Sequence, residues 1–94
     1  MSNPIFRRSE ETIFSEIGDD IVALNIPNGR SYGMENVAAA VWNLLEKPTD
    51  IHRICEELQC RYEVDPDTCR KDVNQLIDHF RREGLIDEVA PGLE

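Results

Sequence analysis

Three cysteines (Cys55, Cys60 and Cys69) and two histidines (His52 and His79) are the side chains of this sequence best suited to hold a metal or start a nucleophilic reaction. Structural zinc sites draw on close pairs such as Cys-x-x-Cys, and a thiol nucleophile needs a base within reach. No Cys-x-x-Cys pair occurs, and the histidines are not spaced as ligand partners of each other or of a cysteine. A glycine-rich phosphate loop is missing too. The expectation is therefore reduced thiols acting as small apolar side chains, with no catalytic residue, no metal and no cofactor. Recognition chemistry is better represented. Residues 70–82 carry four basic and two acidic side chains, whereas residues 46–67 carry three basic and seven acidic ones, so one segment is locally basic on an acidic chain.

That segment predicts a helix. Asp65–Pro66 supplies a cap followed by proline at the first helical position, and Gly84 ends the run just after Arg81 and Arg82. At about 100° per residue, Cys69, Val73, Leu76, Ile77 and Phe80 share one arc. Arg70 and Arg81 fall on one edge of it, Asp72 and His79 on the other. Arg81 and Arg82 also suit the negative end of a helix dipole, and the apolar arc suits plain core packing as well as it suits a binding groove.

Two further helices precede it. Asn36 is placed to cap the first, in which Val37, Val41, Leu44 and Leu45 keep helical spacing, with Trp42 alongside, until Pro48. Thr49 is expected to cap the second, where Ile51, Ile54, Cys55 and Leu58 fall at i, i+3, i+4 and i+7. The first third of the chain reads as strands. Thr12–Ile17 mixes apolar and polar residues, Asp20–Ile26 is nearly continuously apolar, and Pro27–Asn28–Gly29 is a turn leading into Arg30–Met34. Leu85–Ile86 reads as a short extended piece. The expected fold is α+β and winged-helix-like: an antiparallel β-sheet of two or three strands followed by three α-helices.

A chain of 94 residues with 40% apolar content suits a single domain, here residues 1–94. Ten basic against nineteen acidic residues give a net charge of −9. That balance opposes counterion-releasing contact with duplex DNA and docking on an anionic membrane. No apolar run approaches the ~20 residues of a membrane span, and the N-terminus does not read as a signal peptide, which points to the cytoplasm.

Several segments, taken in order, resemble the PqqD-like family. They are Asp20–Met34, Val37–Leu45, Pro48–Ile51, Tyr62–Pro66 and Gly84–Ile86, within a likeness that runs over about residues 12–88. This family includes the pyrroloquinoline-quinone biosynthesis chaperone and the elements that hold leader peptides of ribosomally made, modified peptides, among them stand-alone proteins of lasso-peptide pathways. The chain departs from the family pattern at Glu35, where a capping Asn is usual, so either Asn36 takes over the cap and the helix start shifts by one residue, or the cap is weaker.

The resemblance implies non-catalytic binding of a precursor's leader region by β-strand addition, with presentation to a leader protease or a modifying enzyme such as a radical enzyme or a cyclase. It places the peptide against Arg30, Ser31, Tyr32, Gly33 and Met34, with a helical wall drawn from Cys69, Arg70, Asp72, Val73, Leu76, Ile77 and Phe80. Arg30, Arg70, Lys71 and Arg81 would meet acidic groups, and Asp72 a basic or hydroxyl group. A winged-helix transcription regulator shares the helix order, but the turn at Pro27–Asn28–Gly29 carries no cation beyond Arg30. A small enzyme finds no nucleophile–base pair.

Overall fold

In the computed structural model, residues 4–89 are described. Three strands in the first half form an antiparallel meander: β2 (Thr12–Ile17), β3 (Asp20–Asn25) and β4 (Arg30–Met34), in the order β2-β3-β4. Alternation fixes the faces. Ile21, Ala23 and Asn25 of β3 are buried, and their partners Met34, Tyr32 and Arg30 on β4 point the same way. The turn between β3 and β4 uses Gly29 at φ 69°, while Asn28 accepts a hydrogen bond from the Arg30 backbone N–H at 2.8 Å.

Three helices follow: α1 (Val37–Leu44) and α3 (Pro66–Arg82) meet the inner face of this sheet, and α2 (Ile51–Arg61) packs on α3. Trp42 of α1 is fully buried and meets Phe80 of α3 and Phe14 of β2 edge-on, with ring centroids 5.8 and 5.6 Å away. Arg8 extends this stack. Its guanidinium lies 4.5 Å from the Phe14 ring centre and 4.9 Å from that of Trp42, and it donates to the Trp42 carbonyl at 2.8 and 3.1 Å. A cation thus sits at the C-terminal end of α1, whose last turn has none of its own.

Two helix starts differ from the sequence expectation. Thr49 does not cap α2: it pairs with Phe6 in a strand, and Asp50 caps instead, accepting from the Arg53 N–H at 2.8 Å. Asn36 does stand at the start of α1, but at φ 54° and without a side-chain capping bond. The helix also ends at Leu44, ahead of Pro48. The expected Asp65–Pro66 start and Gly84 stop of α3 are present, with Asp65 accepting from the Thr68 N–H at 3.1 Å and Gly84 at φ 73°.

A second antiparallel sheet was not foreseen. It joins β1 (Ile5–Arg8), β5 (Thr49–Asp50) and β6 (Ile86–Val89) in the order β5-β1-β6. Its strands are four, two and four residues long, too short for a period to show locally, and they pair only because the helices bring them together. Phe6, Leu85 and Ile86 carry the core into this layer.

Candidate functional site

Within its sheet β4 pairs only with β3, so its outer edge offers unpaired backbone N–H and C=O groups. That edge runs beside one long side of α3. At one end Tyr32 reaches across: its hydroxyl donates to Glu83 Oε1 at 2.5 Å, and its ring meets His79 edge-on at 6.5 Å. Arg30 approaches the same carboxylate oxygen at 3.5 Å. The Tyr32 hydrogen bond, helped by Arg30 and His79, holds the Glu83 carboxyl below its usual range, and the same bond pushes the Tyr32 phenol up.

At the other end, three residues beyond Met34, Val37 meets α3. Val37, Leu58, Tyr62, Val64, Cys69, Asp72 and Val73 line a small cavity of about 40 Å³. Val37, Tyr62 and Val64 are exposed apolar side chains, so this end of the groove has an apolar rim. Leu76 lies between the two ends, half-buried against the core.

The residues expected at the site divide accordingly. Arg30, Tyr32 and Met34 face α3, Met34 being buried, whereas Ser31 and Gly33 point to the outer face of the sheet. Cys69, Val73, Ile77 and Phe80 are 5%, 1%, 2% and 2% exposed. Ile77 and Phe80 are therefore core, and Cys69 and Val73 show only the part that lines the cavity. Asp72 and Leu76 stand on the groove side. Arg70 does not: with Pro4, Ile51, His52 and Asn74 it lines a depression on the other side of α3. Arg81 is on that side too, 3.4 Å from Glu88 and over the Phe6 ring. Glu83, Val37, Tyr62 and Val64 were missed. Glu83 lies just outside the helical pattern, and the other three are apolar residues at helix ends, where periodicity is silent.

The three thiols differ in exposure. Cys55 and Cys69 are buried and Cys60 is exposed. Burial first, then the neighbouring Cys69 thiol, pushes Cys55 up to about 11, which leaves it protonated at neutral pH. Among the described residues no three His, Cys, Asp or Glu side chains converge as a metal site, and no helix is long and apolar enough to cross a membrane.

A three-stranded meander packed on helices, with a free strand edge facing the last helix, defines a winged-helix-like α+β protein with a groove between that edge and that helix. Residues 20–86 match the family described as coenzyme PQQ synthesis protein D (PqqD), and the chain belongs to that family. Among solved structures it is similar to TbiB1 in complex with the TbiA(beta) leader peptide, with a TM-score of 0.83 and 24% identity over 89% of this chain and 98% of that one. It is also similar to a lasso peptide synthetase B1 complexed with the leader peptide, with a TM-score of 0.78 and 20% identity over 87% of this chain and 96% of that one. At these identities the likeness establishes the fold. No curated protein matches the chain.

Proposed function

We propose that this protein is a non-catalytic, cytoplasmic recognition domain that binds the leader region of a ribosomal precursor peptide and presents it to a processing or modifying enzyme. The observation that carries the reading is the free edge of β4 beside α3, with an apolar cavity where the groove opens. An extended peptide added to β4 gains backbone hydrogen bonds with little demand on its sequence, and a pocket then chooses the side chain that docks. The added strand lies about 5 Å beyond β4, which brings its inward side chains over Leu76 and Asp72. An apolar anchor fits among Val37, Tyr62, Val64 and Val73, and Asp72 at the rim favours a basic or hydroxyl neighbour. That both similar structures are named as leader-peptide complexes supports the same use of the groove here.

The test is a titration of isotope-labelled protein with a synthetic leader peptide from the precursor encoded beside its gene. Shift changes should concentrate in residues 30–37 and 72–83, with new amide protection along β4. Changes confined to α2 or to the β1–β6 sheet would exclude this mode.

A further inference from the structure

The outer face of the β2–β3 hairpin is as apolar as the face it buries. Antiparallel sheets with one solvated side normally turn polar residues to water. Here strand alternation sends Ile13, Ile17, Val22 and Leu24 outward. Ile13 is 55%, Ile17 64% and Ile26 57% exposed, and Val22 is exposed as well. Ile13, Ile17, Val22 and Leu24 line one shallow depression together with Phe14 and Ser15. Among the described residues no helix covers this side, and a contiguous aliphatic patch of this kind marks a contact surface.

Charge says what covers it. Residues 9–29 contain Glu10, Glu11, Glu16, Asp19 and Asp20 and not a single lysine or arginine. All five carboxylates are exposed. Glu16 pairs with the buried Ile21 and turns inward, but a second copy docked about a two-fold axis would still set Glu10, Glu11, Asp19 and Asp20 against their own counterparts, and an anionic lipid surface would be repelled in the same way. The surface that complements the patch is aliphatic and rimmed by lysine and arginine. We infer that the outer β2–β3 face docks the enzyme that receives the bound peptide, through an apolar patch with a basic rim on that enzyme. This deepens the delivery reading and rests on it.

The sheet geometry makes docking and delivery compatible. A peptide added to β4 becomes the next strand of the same sheet, about 10 Å from β3 at ordinary strand spacing. An enzyme seated on β2 and β3 leaves the α3 groove open while meeting the outward side chains of the added strand. Peptide and enzyme therefore occupy opposite edges of one continuous surface.

The test measures two affinities on the same variants: for the synthetic leader, and for the purified processing enzyme encoded beside this chain's gene. Ile13→Thr/Ile17→Thr keeps β-branched side chains at exposed positions, so its melting curve should match the parent's. It should bind the enzyme at least about tenfold more weakly, as loss of an apolar interface centre does, with leader affinity within about twofold of the parent's. Glu11→Lys/Asp20→Lys should slow association severalfold and flatten its salt dependence. Unchanged enzyme affinity in the Thr variant would overturn the proposal, as would no binding of the enzyme by the parent protein. So would parent dimerisation, or flotation with phosphatidylcholine vesicles, that the Thr variant abolishes. Failure of the leader to bind, with enzyme docking still lost in the Thr variant, would remove the peptide reading and leave the docking face standing.

Discussion

The two long sides of α3 carry different residues and meet different neighbours. On one side, Arg70 and Asn74 border a depression under α2, and Arg81 is held by Glu88 over the Phe6 ring. On the other, Asp72, Leu76 and His79 line up with Glu83 beside a strand edge that has no partner among the described residues. Helical periodicity separates these sides from the core but gives both an equal claim to a ligand. Only the tertiary neighbours break the tie: the β1–β6 sheet occupies one side, and β4 leaves the other open. Of the basic residues expected to meet a ligand, Arg70 and Arg81 belong to the occupied side, while Arg30 stays on the open one.

The largest effect expected from testing this asymmetry lies at the point where α3 is tied to the sheet. Asn25 of β3 donates from Nδ2 to the carbonyls of Glu83 and Gly84 at 2.9 and 3.0 Å. A Cβ on Gly84 would stand 2.5 Å from that nitrogen, at a φ of 73° that already disfavours a side chain. Gly84→Ala should therefore cost about 2–4 kcal/mol, from backbone strain plus disrupted hydrogen bonds, read as a lowered denaturant midpoint. One glutamate placed on each side of α3 distinguishes the two. Leu76→Glu should weaken leader binding by roughly 30-fold, about 2 kcal/mol, while Arg70→Glu should change it by less than about threefold. Equal losses from the two, measured by calorimetry, would erase the distinction between the sides.

Smaller effects follow from the charged contacts at each side. Arg81→Ala removes an exposed ion pair and should cost less than about 1 kcal/mol, with leader affinity untouched. Tyr32→Phe acts through pH. Because the Glu83 carboxyl titrates lower in the folded protein, its contribution is present above the ordinary carboxylate range and lost as pH falls through the folded value. Because the Tyr32 phenol titrates higher, its share is full below the ordinary phenol value and lost as pH rises through the folded one. Melting temperatures across pH should show both limbs flattened in the phenylalanine variant. Thiol labelling should separate the cysteines in order, with Cys60 reacting first and Cys55, pushed up to about 11 and buried, remaining slow.

Much of this architecture was legible because its signals are local. Asp65–Pro66 and Gly84 bound α3 as expected, the apolar spacing located all three helices, and the Pro27–Asn28–Gly29 turn located the β3–β4 hairpin. What escaped was non-local. Ile5–Arg8 becomes a strand only because Thr49–Asp50 and Ile86–Val89 flank it, so the first sheet was expected to stand alone. Asn25 reads as one more strand-end residue until α3 arrives against it. At Asn36 the position of the helix start was legible, but its conformation was not. A residue at φ 54° without a capping bond depends on the sheet and α1 fixing the chain on either side.

The β1–β6 pairing places Ile5 opposite Val89. During synthesis, β1 must therefore wait until the distant β6 has emerged from the ribosome. The meander β2-β3-β4 contains only neighbouring partners and can assemble early, but Phe6 has no complete sheet to enter until residues 86–89 have emerged. Contacts of such long sequence separation close slowly, and an apolar strand left waiting is exposed to mispairing in the meantime. Arg7 and Arg8 beside Ile5 and Phe6 put charge on that waiting segment, and charge within an apolar strand opposes edge-to-edge association.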